Sequence, residues 1–232
     1  MSNIITRHIP NTLTCCNLLC GCMAIMKVCS PISNLSAAII FILAGAAFDF
    51  CDGAAARLFK AYSPIGKELD SLADVVTFGV APAFICVNCL PMSHNLGLAG
   101  LVIAAGAALR LAKFNTDERQ SSSFLGLPVP ANALFWCGLA WWMKNYQEVS
   151  QAAQAGLIAL MIGFALLMNS EIPMFSLKFK HFKWKGNQVR YIFIGIAVIL
   201  FAFFRLGSFP IIILCYLLIS VTLYALNKIQ ML

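Results

Sequence analysis

Residues 49–74, DFCDGAAARLFKAYSPIGKELDSLAD, place four aspartates, a glycine and an arginine in a chain that is 61% hydrophobic. A charged side chain at the centre of a membrane costs about 2.5–3.5 kcal/mol on insertion scales, so clustered acids are expected to be functional and to have a cationic partner. Asp49 and Asp52 are three residues apart, which puts both on one face of a helix. Asp70 and Asp74, four residues apart, share a face of the next helix. The stretch therefore predicts two helices whose acidic faces meet.

The expected partner of these acids is a pair of metal ions. Four ionised carboxylates carry a charge of −4, and no nearby run of lysines offsets it. Two divalent cations would balance this charge, and Mg²⁺ or Mn²⁺ prefers hard oxygen ligands of this kind. The leading hypothesis is a two-metal site with the ligands Asp49, Asp52, Asp70 and Asp74.

The residues between the acids support a phosphorylated ligand. Gly53 and Ala56 fall on the face of the first two aspartates and leave it free of bulky side chains, so a ligand could approach the backbone there. Arg57 at the rim of that face is suited to binding a phosphate. Pro64 and Gly66 predict the end of one helix and the start of the next.

The composition predicts an all-α, polytopic membrane protein with a single transmembrane domain over residues 1–232. The mean hydropathy is +0.85 and only 11% of the residues are charged. Each apolar segment is near the roughly 20 residues that a helix needs to cross a membrane. We expect about eight spans, at 11–29, 34–58, 67–91, 95–115, 130–146, 152–169, 189–205 and 209–227. The N-terminal residues before the first span are expected to be interfacial, with Pro10 starting the first helix.

The basic residues predict the orientation in the membrane. With the N-terminus inside, inner segments hold thirteen of the sixteen lysines and arginines, and outer segments hold Lys27, Lys144 and Arg205. This bias favours cytoplasmic termini, which places the aspartates in the cytoplasmic half of the inner (cytoplasmic) membrane. A soluble nucleotide could then reach them.

Other features have ordinary explanations in a membrane protein. The ten cysteines lie mostly in apolar runs without paired C-x2-C units, so they are interpreted as small buried hydrophobic residues. The net charge of +7 and the basic, aromatic run at 175–190 are typical of loops that contact membrane lipid headgroups. No nucleic-acid partner is expected.

The aspartate stretch also carries a family resemblance. The pattern D-x2-D-G-x2-A-R-x8-G-x3-D-x3-D is filled by Asp49, Asp52, Gly53, Ala56, Arg57, Gly66, Asp70 and Asp74, and it resembles that of the CDP-alcohol phosphotransferases. Three further stretches are similar to the phosphatidylserine synthase branch of that family. They are PNTLTCCNLLCG at 10–21, DSLADVVTFGVAPAF at 70–84 and GLPVPANA at 126–133.

The resemblance implies a membrane enzyme that transfers a phosphatidyl group from CDP-diacylglycerol to the hydroxyl of L-serine and releases CMP. It implies two divalent ions, Mg²⁺ or Mn²⁺, held by the aspartates, and a homodimer. It assigns the last aspartate, Asp74, as general base, although the sequence does not separate a base from a ligand at this position. The positions implied for CDP-donor binding are Gly53, Ala56, Arg57 and Gly66.

The acceptor site is predicted at the end of the fourth span. Arg110 and Lys113 are three residues apart, and they could either anchor the helix on the inner side or capture an anionic group. Guanidinium matches carboxylate geometry, and the resemblance to the serine-using branch favours acceptor binding. Ser71 and Asn115 are weaker candidates, because polar side chains in spans also join helices to one another.

Two alternatives remain at this point. A sibling enzyme that uses glycerol 3-phosphate or inositol would have the same aspartates. A glycerol 3-phosphate enzyme should need further cationic residues for the extra phosphate, and Arg110 and Lys113 leave this alternative open. A cation or proton transporter could also hold acids in the membrane. Such a transporter has no need of Gly53, Ala56 and Arg57 in register with the acids.

Overall fold

The architecture is a bundle of long helices, seen in a computed structural model that describes residues 4–116, 124–175, 177, 184 and 186–226. The α-helices are α1 Ile4–Cys29, α2 Leu35–Phe59, α3 Pro64–Asp74, α4 Ala81–Cys89, α5 His94–Gly97, α6 Leu101–Thr116, α7 Val129–Met143, α8 Gln151–Met168, α9 Gln188–Phe204 and α10 Phe209–Ala225. A π-helical turn, Val75–Val80, joins α3 to α4, and 3₁₀ turns lie at Leu98–Gly100 and Arg205–Ser208. Two short antiparallel strands, β1 Phe124–Leu125 and β2 Pro173–Met174, pair with each other.

Six stretches of the described residues are long and apolar enough to cross a membrane. They are His8–Cys29, Leu35–Phe59, Pro64–Cys89, His94–Thr116, Gln151–Met168 and Gln188–Ala225. The all-α, polytopic membrane class is therefore confirmed, and all eight predicted segments are helical. The structure has six such stretches where eight spans were expected, for two reasons. The helix α7 has only 15 residues, and α9 and α10 follow each other within one 38-residue stretch. That stretch is broken at Arg205, whose φ is 48°, and its two helices pack against each other.

The first helix begins earlier than the sequence predicted. We expected Pro10 to start it, but α1 runs continuously from Ile4 and contains Pro10. Proline removes one backbone donor without ending a helix when the neighbouring turns are held in place. Part of the predicted lipid-contacting run at 175–190, including residues 178–183 and 185, lies outside the described residues, as do residues 1–3.

Capping residues set the sharp connection between α2 and α3. The helix α2 is capped by Lys60, which has a left-handed backbone (φ 51°) and whose N–H donates to the carbonyls of Ala56 and Arg57. The Ser63 side chain then accepts a hydrogen bond from the Gly66 N–H at 3.0 Å, with Pro64 at the first helical position. The predicted start of a helix at Pro64 is observed, whereas the break between α2 and α3 lies at residues 60–63 rather than at Pro64–Gly66, which form the first turn of α3.

The two ends of the bundle carry different polar features, a cleft at one end and the aspartates at the other. The α1–α2, α4–α5 and α7–α8 connections line a polar cleft of about 480 Å³ at one end. At the other end the Lys67 ammonium donates to the Asn115 carbonyl oxygen at 2.9 Å, which joins the start of α3 to the end of α6. The aspartates lie toward this second end, on the parts of α2 and α3 nearest their connection.

Small residues let α1 and α2 approach the π-helical turn closely. A Cβ on Gly21 would lie 2.5 Å from the Thr77 hydroxyl oxygen, and a Cβ on Gly45 would lie 2.6 Å from the Thr77 methyl carbon. The Thr77 hydroxyl donates to the Asn17 carbonyl oxygen at 2.9 Å. The three segments therefore cross at a distance that only glycine permits, directly beside the last aspartate of α3.

Gly45→Ala is expected to destabilise the protein. The added methyl group would meet the Thr77 methyl and the Asn17 side-chain oxygen, 2.9 Å away, and overpacking of this kind typically costs about 1–3 kcal/mol. Thermal unfolding of the purified protein in detergent should show a lower midpoint. Gly195→Ala in α9 is the matched control, because nothing lies within 4 Å of a Cβ at that helical position. Equal midpoints for the two variants would contradict the close crossing.

Candidate active and metal-binding site

Three carboxylates from α2 and α3 converge inside the bundle. One carboxylate oxygen from each of Asp49, Asp70 and Asp74 lies within 4.8 Å of the other two. Among the described residues no lysine, arginine or histidine forms an ion pair with them. The predicted meeting of two acidic helix faces is therefore observed for these three residues.

This carboxylate cluster fits a divalent cation. The Asp70 Oδ1 atom is buried and has no hydrogen-bond partner among the described residues, although a buried carboxylate oxygen normally has one. Like charges held this close in an apolar bundle repel strongly unless a cation lies between them. Hard carboxylate oxygens are the ligands that Mg²⁺ and Mn²⁺ prefer. Asp49, Asp70 and Asp74 have the chemistry and the spacing to hold such an ion.

Asp52, the fourth predicted ligand, lies beside this cluster and is held differently. Its side chain is 6% exposed, and its Oδ2 atom accepts a hydrogen bond from the Thr14 hydroxyl at 2.7 Å. It is within electrostatic reach of Asp49 and Asp70 but does not belong to the group of three converging oxygens. One of its oxygens is thus oriented by α1, and its role as a ligand stays a prediction.

The helix α1 supplies two side chains that the sequence analysis did not assign to the site. Thr14 binds Asp52, and the Asn17 side-chain amide donates to Asp74 Oδ1 at 3.0 Å. Both residues are buried, and they are three positions apart on a helix that is otherwise mainly apolar. The sequence could have indicated these two residues, because two hydrogen-bonding side chains on one face of a span predict a polar partner inside the bundle.

The predicted donor-binding residues line the last two turns of α2 and the first turn of α3. Gly53 and Ala56 are half-buried, and Arg57 is exposed. The Arg57 guanidinium folds back along the helix, so that its Nη1 atom would lie 3.7 Å from a Cβ on Gly53. Gly66 is different, because a Cβ there would lie 3.0 Å from the side-chain oxygens of Asn11 and Ser63. Its local packing already calls for a glycine, and its part in donor binding remains a prediction.

The predicted acceptor residues separate into two environments. Arg110 is 7% exposed and makes no hydrogen bond or ion pair with any described residue. Its Nε atom is buried without a hydrogen-bond partner among those residues. Its guanidinium lies over the Phe114 ring. Asp74 is within electrostatic reach of it. Lys113, by contrast, is exposed, so the two basic residues do not share a pocket in this structure. A buried guanidinium without a partner is costly and indicates an anionic ligand.

Ser71 and Asn115 are hydrogen-bonded to each other. The Asn115 amide donates to the Ser71 hydroxyl oxygen at 2.9 Å and contacts Glu68 at 3.4 Å. These bonds tie α3 to α6, which is the structural role that polar side chains often have between spans. Their contact with an acceptor stays a prediction.

Comparisons with known proteins agree with the geometry. A sequence model of the CDP-alcohol phosphatidyltransferase family matches residues 7–169, which include all four aspartates and Arg110. The chain is 36% identical over 178 residues to a CDP-diacylglycerol–serine O-phosphatidyltransferase of Bacillus subtilis (strain 168), covering 76% of this chain and 92% of that protein. Proteins of the same name from Methanocaldococcus jannaschii and Helicobacter pylori (strain 26695) are each 32% identical. The first similarity covers 72% of this chain and 74% of the relative, and the second covers 75% and 74%.

Asp70→Asn is expected to weaken divalent-metal binding by at least about tenfold, because it removes a charged oxygen ligand from the cluster. The loss of bound Mn²⁺ from the detergent-purified protein can be measured by electron paramagnetic resonance. Glu148→Gln is the control, since Glu148 is an exposed acid near the polar cleft at the other end of the bundle. An unchanged Mn²⁺ affinity in Asp70→Asn would rule out this residue as a ligand.

Proposed function

This chain belongs to the CDP-alcohol phosphatidyltransferase family, and we propose that it is a CDP-diacylglycerol–serine O-phosphatidyltransferase. It transfers a phosphatidyl group from CDP-diacylglycerol to the hydroxyl of L-serine and releases CMP. Relatives that bear this name cover most of the chain. The observation that carries the proposal is the carboxylate cluster of Asp49, Asp70 and Asp74 within electrostatic reach of the buried, unpartnered Arg110.

The family uses divalent metal ions, and the carboxylate cluster gives them a place to bind. We propose two ions, Mg²⁺ or Mn²⁺, held by Asp49, Asp52, Asp70 and Asp74. When bound, such ions neutralise the charge of the donor diphosphate and of the departing CMP. Thr14 fixes the Asp52 carboxylate for this task by its hydrogen bond.

Asp74 acts as the general base in this proposal. The serine oxygen attacks the phosphorus of the phosphatidyl group, the bond from that phosphorus to the CMP oxygen breaks, and CMP leaves with the electron pair. The hydroxyl proton passes to Asp74, whose other contact, the Asn17 amide, fixes the direction of the carboxylate. A serine hydroxyl is a weak nucleophile near neutral pH and needs such a base.

The remaining side chains position the two substrates. Arg57, folded back over the small face of Gly53 and Ala56, binds the donor phosphates. Arg110 binds the carboxylate of the acceptor, since its guanidinium is buried within electrostatic reach of Asp74 and its Nε atom has no hydrogen-bond partner among the described residues.

The arrangement favours serine over the sibling acceptors. Glycerol 3-phosphate carries a doubly charged group and calls for several basic side chains, yet Lys113 is exposed and Arg110 is the buried one. Inositol has no anionic group to neutralise Arg110. A transporter does not require an arginine that overhangs a glycine and alanine face beside the acids.

The membrane setting completes the proposal. The helices make the chain an integral membrane protein. We place it in the inner (cytoplasmic) membrane with the aspartate end toward the cytoplasm, since thirteen of sixteen lysines and arginines fall on the segments at that side. We also propose a homodimer, which the family resemblance implies.

The purified protein should release CMP from CDP-diacylglycerol only when serine and Mg²⁺ or Mn²⁺ are both present. The assay follows CMP with serine, glycerol 3-phosphate or inositol as the acceptor, each with and without a metal chelator. Serine-dependent release that chelation abolishes is the expected result. Release that depends on glycerol 3-phosphate or inositol instead would assign the protein to a sibling activity.

Asp74→Asn is expected to lower the turnover number by about 10²–10⁴, which is the usual contribution of general acid–base catalysis. Metal and CDP-diacylglycerol binding should stay within a few fold of the wild type, because the three other aspartates remain. Turnover and Mn²⁺ affinity are measured on the same preparation. If Mn²⁺ affinity falls as far as in Asp70→Asn, Asp74 is chiefly a ligand and the serine proton leaves by another route.

A further inference from the structure

Asn17 of α1 is bound at two points by one neighbouring segment. Its side-chain amide donates to Asp74 Oδ1 at 3.0 Å, and its backbone carbonyl oxygen accepts a hydrogen bond from the Thr77 hydroxyl at 2.9 Å. Asp74 is the last residue of α3, and Thr77 lies three residues later on the π-helical turn. The side chain and the backbone of Asn17 are therefore held by the same short stretch of chain.

The hydrogen bond from Thr77 is additional to the one that forms the helix. In an α-helix the Asn17 carbonyl oxygen accepts from the N–H four residues later, which is that of Gly21. A carbonyl oxygen has two lone pairs, so the Thr77 hydroxyl can use the second. It can reach that oxygen because Gly21 has no Cβ, which would lie 2.5 Å from the hydroxyl oxygen. The bond is thus not needed to form α1, and it fixes how α1 is rotated against the π-helical turn.

The Asn17 side chain is directed at Asp74 at an energetic cost. Asn17 is completely buried, and its Oδ1 atom has no hydrogen-bond partner among the described residues. A buried polar atom without a partner typically costs about 1–3 kcal/mol. An apolar side chain would avoid this cost if packing between helices were the only task at this position. The arrangement therefore indicates that Asn17 serves the Asp74 carboxylate.

We propose that Thr77 is a positioning residue for the general base, an inference that rests on the role proposed for Asp74. By binding the Asn17 carbonyl, Thr77 fixes the turn of α1 from which the Asn17 amide reaches the carboxylate. The two hydrogen bonds and the backbone from Asp74 to Thr77 close a loop, so that a rotation of α1 would break both bonds. The carboxylate is thereby kept in one orientation while it accepts the serine proton, and a misplacement of about 1 Å in an active site can cost about 10²-fold in rate.

Thr77→Val tests this inference because it removes the hydroxyl and keeps the branched shape of the side chain. The turnover number should fall at least about tenfold, since Asp74 loses its fixed orientation. The KM values for serine and CDP-diacylglycerol should stay within about twofold, because their contacts remain. Thr77→Ser is the conservative variant: it keeps the hydroxyl, loses the methyl group that packs against Gly45, and should turn over within about twofold of the wild type.

A second pair of variants separates positioning from a purely structural role. Thr77→Ala differs from Thr77→Ser by the hydroxyl alone, so this pair gives the same test if Thr77→Val folds poorly. Both variants lose the buried methyl group, and the midpoint of thermal unfolding in detergent should fall in both. The turnover number should fall at least about tenfold only in Thr77→Ala.

The Asn17→Ala background tests whether Thr77 acts through Asn17. In that background Thr77→Val should cause no further loss of turnover, because residues that act as a unit are not additive. The inference is overturned by a wild-type turnover number in both Thr77→Val and Thr77→Ala, or by additive losses in the double variant. Losses of turnover that follow the thermal midpoint, whether or not the hydroxyl is present, overturn it as well. Release of CMP with another acceptor, or no release at all, from the wild-type protein contradicts the proposed function instead.

Discussion

The repulsion among carboxylates inside an apolar bundle is the constraint on which the rest of the structure depends. Asp49, Asp70 and Asp74 converge within 4.8 Å, and among the described residues no basic side chain forms an ion pair with them. Such a cluster is stabilised when the helices that bear it are fixed firmly and when a cation or protons neutralise its charge. The bundle meets the first condition by hydrogen bonds from α1 and by a close crossing of three segments. The second condition is met by the divalent ions of the proposed mechanism.

The close crossing and the orientation of the acids are two results of one arrangement. Thr77, on the π-helical turn directly after Asp74, reaches the Asn17 carbonyl only because Gly21 and Gly45 let the backbones approach. Asn17 in turn holds the Asp74 carboxylate through its amide. A π-helical turn shifts the register of the side chains that follow it, and such turns are frequent at functional sites. Here it allows α3 to present its acids and α4 to pack in the core within one continuous span.

The sequence predicted the fold class, the helical segments and the three converging acids, because hydropathy and the spacing of charged residues act over one or two helical turns. It did not predict the start of α1 before Pro10, the π-helical turn, or the hydrogen bonds of Thr14 and Asn17. These depend on which faces of separate helices meet, and that is decided by packing among distant residues. The pairing of Arg110 with Lys113 shows the same limit, since three-residue spacing placed them together and packing buried only Arg110.

The end of the family match at residue 169 bears on how one family domain could serve different acceptors. In the proposed mechanism the donor and the metals are bound by the aspartates of α2 and α3 with the support of side chains of α1, all within the matched residues 7–169. An acceptor differs among family members in the groups around its hydroxyl, so its contacts must differ too. Arg110 lies inside the matched region, whereas α10 lies outside it. A helix outside the shared domain, such as α10, can change without altering the residues of the carboxylate cluster, so the sequence there can diverge while the transfer chemistry stays the same.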